Sequence, residues 1–147
     1  RNTVMKVSID IVTIQKDKIS KQMDDIKTNS VGFVAKKKDF DIISYVENNT
    51  TGLNGVKTIL KIEDDCLTMV RYNENATNMR FKEDVEHYSI YSTDYGDFDL
   101  RIFTKKLEIF KNVESFEYII EIEYDLDIRD LFTGNNKMQI KVKSLED

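Results

Sequence analysis

The 147-residue chain carries 22 Lys and Arg against 27 Asp and Glu, a net charge of −5, with one His, one Cys and no Pro. This length fits one domain, and 40% hydrophobic with 33% charged residues is typical of a soluble globular protein rather than a disordered one. The acidic balance disfavours nucleic-acid binding, and no apolar run is long enough to span a membrane. The single cysteine excludes an internal disulfide and favours a cytoplasmic location.

Alternating apolar and polar residues recur along the chain and predict antiparallel strands, because successive side chains of a strand point to opposite faces. The clearest runs cover residues 5–12, 56–62, 97–104, 116–126 and 138–143. Weaker runs fill the gaps, at about residues 22–36, 39–47, 66–73, 78–82 and 86–93.

Clusters of Gly, Asn, Asp and Lys between these runs predict turns. They fall at residues 36–39, 48–55, 63–65, 73–75, 94–96 and 134–136. Gly32 lies inside a strand pattern instead, where we expect a bulge or a close approach of two backbones. Short helical turns are compatible only with residues 19–26 and 127–132. The sequence therefore predicts an all-β fold, a single-domain antiparallel meander barrel of about 8–10 strands over residues 1–147.

Several short motifs occur in a fixed order from residue 31 to residue 138. They are Val31-Gly32-Phe33, Gly55-Val56-Lys57-Thr58, Met69-x-Arg71, Asn78-Met79-Arg80-Phe81, Tyr91-x-Thr93-x-Tyr95-Gly96 and Asn136-x-Met138. On these motifs the chain resembles the YwiB-like family of bacterial proteins, a domain family of unknown function. The resemblance implies a calycin-like, lipocalin-type β-barrel and brings no established activity, substrate or catalytic residue.

Residue types that support catalysis or metal binding are scarce. One His and one Cys cannot build a zinc site, and the acidic residues at 123–130 lack the spacing of a calcium loop. Cys66 and His87 form the only thiol–imidazole combination, and the acidic residues at 63–65 disfavour a thiolate there. A catalytic pair of carboxylates remains an open alternative, because the distances between carboxylates cannot be derived from sequence. We therefore expect no enzyme activity, no metal and no cofactor.

Polar residues interrupt the apolar faces of several predicted strands and define a candidate ligand site inside the barrel. If Leu67 and Met69 face inward, strand parity turns Arg71 inward as well. A buried Arg needs a carboxylate or an anionic guest, so we expect Arg71 to engage Glu47 first, or Glu83, water or the acid end of a ligand. The full predicted set is Tyr45, Glu47, Thr58, Met69, Arg71, Met79, Phe81, Tyr91, Thr93, Thr104 and Tyr124.

Two functions and one structural alternative follow. The leading hypothesis is a cytoplasmic, non-enzymatic barrel that binds a small, partly apolar ligand, with an anionic group as one option. The alternative is a protein-interaction or scaffold module, monomeric or homodimeric, that works through its outer surface. Four apolar residues on outward faces motivate it: Ile59, Val70, Phe103 and Ile119. The structural alternative is that the interior polar groups bond only to one another and fill the lumen.

Overall fold

The computed structural model describes residues 4–47, 55–72 and 76–146. The predicted turn at 73–75, and the predicted 48–55 loop apart from Gly55, lie outside the described residues. The strands are β1 (Val4–Asp17), β2 (Met23–Lys36), β3 (Asp41–Val46), β4 (Lys57–Ile62), β5 (Leu67–Tyr72), β6 (Ala76–Phe81), β7 (Glu86–Thr93), β8 (Gly96–Asn112), β9 (Glu117–Ile128) and β10 (Phe132–Ser144).

The two segments compatible with helical turns are hairpin ends instead. Residues 18–20 form the turn between β1 and β2, and residues 129–131 form the turn between β9 and β10. Asp17 closes the first of these turns, because its Oδ1 accepts hydrogen bonds from the backbone N–H groups of Ile19 and Ser20 at 2.8 and 3.0 Å. Across the described ranges, no helix has the length and apolar character needed to cross a membrane.

All ten strands belong to one antiparallel sheet in the order β6-β5-β4-β3-β2-β1-β10-β9-β8-β7. Its two end strands approach each other, since Nε2 of His87 on β7 lies 3.1 Å from the carbonyl oxygen of Asn78 on β6. Just beyond β6, the N–H of Asp84 donates to the carbonyl of Thr104 on β8 at 2.8 Å. The sheet is therefore a nearly closed barrel, which confirms the predicted antiparallel meander barrel.

Strand parity decides which side chains fill the barrel. In β4, Thr58, Leu60 and Ile62 are buried and alternate with residues that keep contact with solvent. The same alternation in the other strands builds one core, and each buried aliphatic or aromatic side chain contributes roughly 1.5–3 kcal/mol. Its most completely buried members are Val7, Ile9, Val34, Ile43, Leu60, Leu67, Met69, Phe81, Ile102, Ile120, Ile140 and Val142.

Gly32 marks a close approach between β2 and β3, as its position inside a strand pattern predicts. It pairs with Tyr45 in the ladder, and a Cβ at this position would lie 2.2 Å from the carbonyl oxygen of Ser44. No side chain fits there without moving the backbone of β3. A register shift between Thr104 and Lys106 bends β8 against β9, which lets the long strands curl into the barrel.

Candidate functional site

Fully buried aliphatic side chains such as Ile9, Leu60 and Ile140 fill one part of the barrel lumen, whereas the other end is open. The open end encloses a cavity of about 310 Å³, which is room for about ten water molecules or one small organic molecule. Its apolar lining consists of Ile11, Ile26, Met79, Leu100, Leu126, Ile128 and Met138. Its polar lining consists of Thr13, Gln15, Thr28, Glu47, Arg71, Thr77, Tyr91, Tyr124 and Asn136.

The polar lining arises because inward-facing positions change from apolar to polar toward the same end of the barrel. The changes run from Ile11 to Thr13 in β1, from Tyr45 to Glu47 after β3, from Met69 to Arg71 in β5, from Met79 to Thr77 in β6 and from Met138 to Asn136 in β10. Each step spans two residues, so parity is kept and both members face inward. The strands thus bring together side chains that are far apart in sequence.

Arg71 and Glu47 are the two charged residues among the described lining of the cavity, and they do not form a salt bridge with each other. Glu47 is only 2% exposed. Its Oε2 accepts a hydrogen bond from the Thr58 hydroxyl at 3.2 Å, while its Oε1 has no partner among the described residues. The Nε of Arg71 likewise has none. The expected Arg71–Glu47 ion pair is therefore absent, and both charged groups keep unused hydrogen-bonding capacity.

The alternative partner of Arg71 is also engaged elsewhere. Oε1 of Glu83 accepts a hydrogen bond from the backbone N–H of Leu107 at 3.1 Å, beside the β8 bulge. In the part of the chain that the structure describes, no ion pair involves Arg71. A guanidinium in this position is left to water or to a guest molecule.

Two further lining residues carry unpartnered buried atoms, Oγ1 of Thr28 and Oδ1 of Asn136. The Nδ2 group of Asn136 donates to the hydroxyl of Tyr124 at 3.3 Å, so only the oxygen of this amide is free among the described residues. Native interiors satisfy most of their buried polar atoms, and exceptions call for a bound water or ligand. The concentration of such atoms around one cavity marks it as the candidate site.

The electrostatic surroundings keep two tyrosine hydroxyls protonated beside this cavity. Burial raises the pKa of Tyr45, the nearby Glu47 charge raises it further, and Arg71 opposes the shift. Burial also raises the pKa of Tyr124, against smaller lowering effects of Asn136 and Arg71. Both hydroxyls are therefore neutral groups near neutral pH, able to donate as well as accept hydrogen bonds.

The structure brings five of the predicted site residues into the cavity lining: Glu47, Arg71, Met79, Tyr91 and Tyr124. Five other predicted residues are buried but do not line the cavity: Tyr45, Thr58, Met69, Phe81 and Thr104. Among these, Thr58 donates a hydrogen bond to Glu47. Thr93 lies away from the cavity, because its hydroxyl donates to the Gly96 carbonyl at 2.9 Å in the β7–β8 turn.

Sequence reasoning missed several polar lining residues: Thr13, Gln15, Thr28, Thr77 and Asn136. A usable signal existed for Thr77 and Asn136, because each lies two positions from a methionine on an inward face. The signal for Thr28 was weaker, since residues 23–29 of β2 are mostly polar and mostly exposed. The pairing of Thr28 with the buried Ile11 of β1 places this end of the strand beside the lumen.

Two other concavities have polar groups that already bind one another. A groove of about 910 Å³ lies outside the barrel beside β7 and β8, where Arg101 pairs with Asp127 at 3.0 Å. A pocket of about 290 Å³ at another site contains Asp41, which accepts from the Tyr118 hydroxyl and from Lys111 Nζ at 2.8 Å. Over the residues described, no group of three His, Cys, Asp or Glu side chains is placed to hold a metal ion.

Comparison with known proteins agrees with the fold. The crystal structure of the YwiB protein from Bacillus subtilis superposes with a TM-score of 0.83 over 99% of this chain and 96% of that chain, at 20% sequence identity. No curated protein matches the chain. The family described as "Domain of unknown function (DUF1934)" matches residues 9–140. The chain therefore belongs to this family, and the predicted YwiB-like resemblance is confirmed.

Proposed function

We propose that this protein binds a small, partly apolar ligand in the open half of its barrel lumen and does so without catalysing a reaction. The observation that carries the proposal is the 310 Å³ cavity with unpartnered polar atoms on Thr28, Glu47, Arg71 and Asn136. Its volume falls at the lower end of the range of small-molecule pockets, about 300–1,000 Å³. Apolar walls with a few placed polar groups are the usual composition of such sites.

A purely structural role for these polar residues explains the cavity less well. In the packed half of the lumen, Ile9, Leu60 and Ile140 show that this barrel accommodates aliphatic side chains in inward positions. Apolar residues at Thr28 or Asn136 would add buried surface and remove unpartnered atoms, each of which costs about 1–3 kcal/mol. The polar positions are understandable if a guest supplies the missing partners.

The candidate residues for catalysis do not converge in the cavity. His87 contacts the carbonyl oxygen of Asn78 at the β6–β7 seam, and neither it nor Cys66 belongs to the described lining. Cys66 is buried and reduced beside the β4–β5 turn. The side chains in the cavity can hold a molecule by hydrogen bonds and charge, which supports binding rather than chemistry.

Native mass spectrometry of freshly purified protein, with extraction of bound small molecules, tests this function. We expect a bound molecule small enough to fit the cavity of about 310 Å³. Thr28→Phe should abolish its binding, because the ring would occupy the cavity. The matched control is Thr68→Phe, since Thr68 alternates with the inward-facing Leu67 and Met69 on β5. Finding no bound molecule in any preparation, together with a Thr28→Phe variant that is merely more stable, would contradict the proposal.

A second candidate function, an interaction through the outer surface, is favoured by an exposed apolar patch. The side chains of Val31, Phe33 and Val46 are 52%, 52% and 55% exposed. Ile59 and Val70 continue the patch on the neighbouring strands, because Phe33 pairs with Ser44, Ser44 with Ile59 and Ile59 with Val70. The predicted outer residues Ile59, Val70, Phe103 and Ile119 are half-buried.

Sedimentation velocity at increasing concentration tests this second candidate. If the patch mediates a homodimer, Phe33→Glu should yield monomer, because a carboxylate would have to be desolvated in the interface. Lys141→Glu, an exposed substitution on β10, should leave the association unchanged. Monomer at every concentration in the unmodified protein would contradict homodimer formation.

A further inference from the structure

We infer that the ligand of the lumen is a zwitterion of the α-amino-acid type, with its carboxylate on Arg71, its ammonium group on Glu47 and an apolar side chain against Met79 and Met138. This inference rests on the proposed binding function and names the chemical class of the guest. The residues that carry it all belong to the described lining of the cavity.

The charges of the lining determine the charge of the guest. Glu47 and Arg71 are opposite in sign and are the two charged residues in the described lining, so the wall as a whole is neutral. A guest with only a carboxylate would be repelled by Glu47, and a guest with only an ammonium group would be repelled by Arg71. Repulsion at close range is costly where water is scarce, because the effective dielectric constant is low. A zwitterion is attracted by both.

The free atoms of the two side chains complement a zwitterion in hydrogen bonding as well. Arg71 has a buried Nε–H without a partner, and its guanidinium needs an acceptor such as a carboxylate oxygen. Glu47 has a buried Oε1 without a partner, and its carboxylate needs a donor such as an ammonium group. Among charged guests, only one that contains both kinds of group satisfies both residues at once.

Both charged residues neighbour Thr58, which favours a guest whose charges are adjacent. Arg71 pairs with Thr58 in the β4–β5 ladder, and the Thr58 hydroxyl donates to Glu47 at 3.2 Å. Both charges also act on the hydroxyl of Tyr45, where Glu47 raises the pKa and Arg71 lowers it. An α-amino acid carries its ammonium and carboxylate groups on one carbon, whereas a molecule with charges at opposite ends would need them on opposite walls.

The rest of the cavity suits an aliphatic side chain. Four apolar residues of the lining come from β1, β6, β9 and β10, in this order: Ile11, Met79, Leu126 and Met138. A volume of about 310 Å³, equal to that of about ten water molecules, has room for a free aliphatic amino acid. Leucine is therefore the probe we choose.

Isothermal titration calorimetry with three matched probes tests the inference on dialysed protein. Leucine carries both charges, 4-methylpentanoate lacks the ammonium group and 3-methylbutylamine lacks the carboxylate. We expect leucine to bind at least about 10-fold more tightly than either partial analogue, because each loses one charge-assisted hydrogen bond. Equal or tighter binding of 4-methylpentanoate would overturn the inference, and so would binding of none of the three.

Two variants should exchange the preferences of the site. Glu47→Gln should weaken leucine binding at least about 10-fold and strengthen 4-methylpentanoate binding, because the repelling carboxylate is gone. Arg71→Met should weaken leucine binding by a similar factor and strengthen 3-methylbutylamine binding. Glu114→Gln and Arg80→Met change the same residue types at exposed positions and should alter neither affinity. Should a variant fail to fold, the ranking of the three probes on the unmodified protein decides alone.

The outcome also separates this inference from the function on which it rests. If a copurified molecule survives dialysis, its structure replaces the titration, and a molecule without adjacent ammonium and carboxylate groups overturns the inference. The proposed binding function would then stand. If Glu47 and Arg71 merely hold water between them, no probe binds and no copurified molecule is found, and both proposals fail together.

Discussion

Three buried tyrosines make the stability of this barrel sensitive to alkaline pH. Burial raises the pKa of Tyr45, Tyr118 and Tyr124 above the value of about 10 that tyrosine has in an unfolded chain. In Tyr118 the hydrogen bond to Asp41 and the charge of that carboxylate add to the effect of burial. Well below pH 10 the three hydroxyls are protonated in both states, so they contribute no pH dependence there.

Above that pH the unfolded chain releases protons that the folded chain retains. Between about pH 9 and about pH 11 the free energy of unfolding then falls by about 1.4 kcal/mol in total for each such group, or by about 4 kcal/mol for three. Tyr118→Phe should reduce this fall by about 1.4 kcal/mol, whatever its effect at neutral pH. Tyr95→Phe is the matched control, because Tyr95 is 95% exposed and should leave the fall unchanged.

Urea denaturation between about pH 9 and about pH 11 measures this fall, and near-ultraviolet absorbance of the phenolate follows the tyrosines of the folded protein directly. We expect the absorbance of the native protein to show fewer titrating tyrosines than the seven in the chain. A fall in the Tyr118→Phe variant equal to that of the unmodified protein would refute the reasoning. So would titration of all seven tyrosines with a midpoint near 10 while the protein is still folded.

Three further predictions concern the framework of the barrel and are measured by urea denaturation. Asp41→Ala should cost about 2–4 kcal/mol, because the buried hydroxyl of Tyr118 loses its acceptor, whereas Asp39→Ala at an exposed position should change less than about 0.5 kcal/mol. Gly32→Ala should cost about 2 kcal/mol or more, because its methyl group would collide with the β3 backbone; an unchanged midpoint would disprove this close approach. Ile140→Ala should cost about 2–5 kcal/mol through the cavity it leaves in the packed half of the lumen, and a smaller loss would indicate that this half is loosely packed.

Parity made the inward faces of the strands predictable from sequence. Whether a side chain points inward depends only on its immediate neighbours, so Thr58 could be grouped with Leu60 and Ile62, and all three are buried. The close approach at Gly32 was also foreseeable, because a glycine inside a strand pattern signals a missing side chain. These inferences use local chemistry alone.

The height of each residue along the barrel was not predictable, because it depends on the register between strands. Thr93 shares the parity of Tyr91, yet it ends β7 next to the β7–β8 turn and is not part of the cavity lining. Arg71 and Glu47 were expected to pair because both face inward, but parity says nothing of the distance between them. For Thr28 the opposite error occurred. Its neighbours in sequence are mostly polar, so it was not predicted to line the lumen, yet it pairs with the buried Ile11.

The division of the lumen into a packed half and a polar half is best understood as one arrangement. The packed half, with Ile9, Ile43 and Ile140 fully buried, supplies hydrophobic stabilisation of roughly 1.5–3 kcal/mol for each side chain. The other half lowers the free energy of unfolding, because unpartnered buried atoms such as Glu47 Oε1 and Arg71 Nε cost about 1–3 kcal/mol each, and more when charged. Under the proposed binding function, that cost applies only while the cavity lacks a complementary molecule, and binding would recover it. A barrel stable enough to tolerate an unsatisfied cavity would then use the recovered free energy as affinity for the guest.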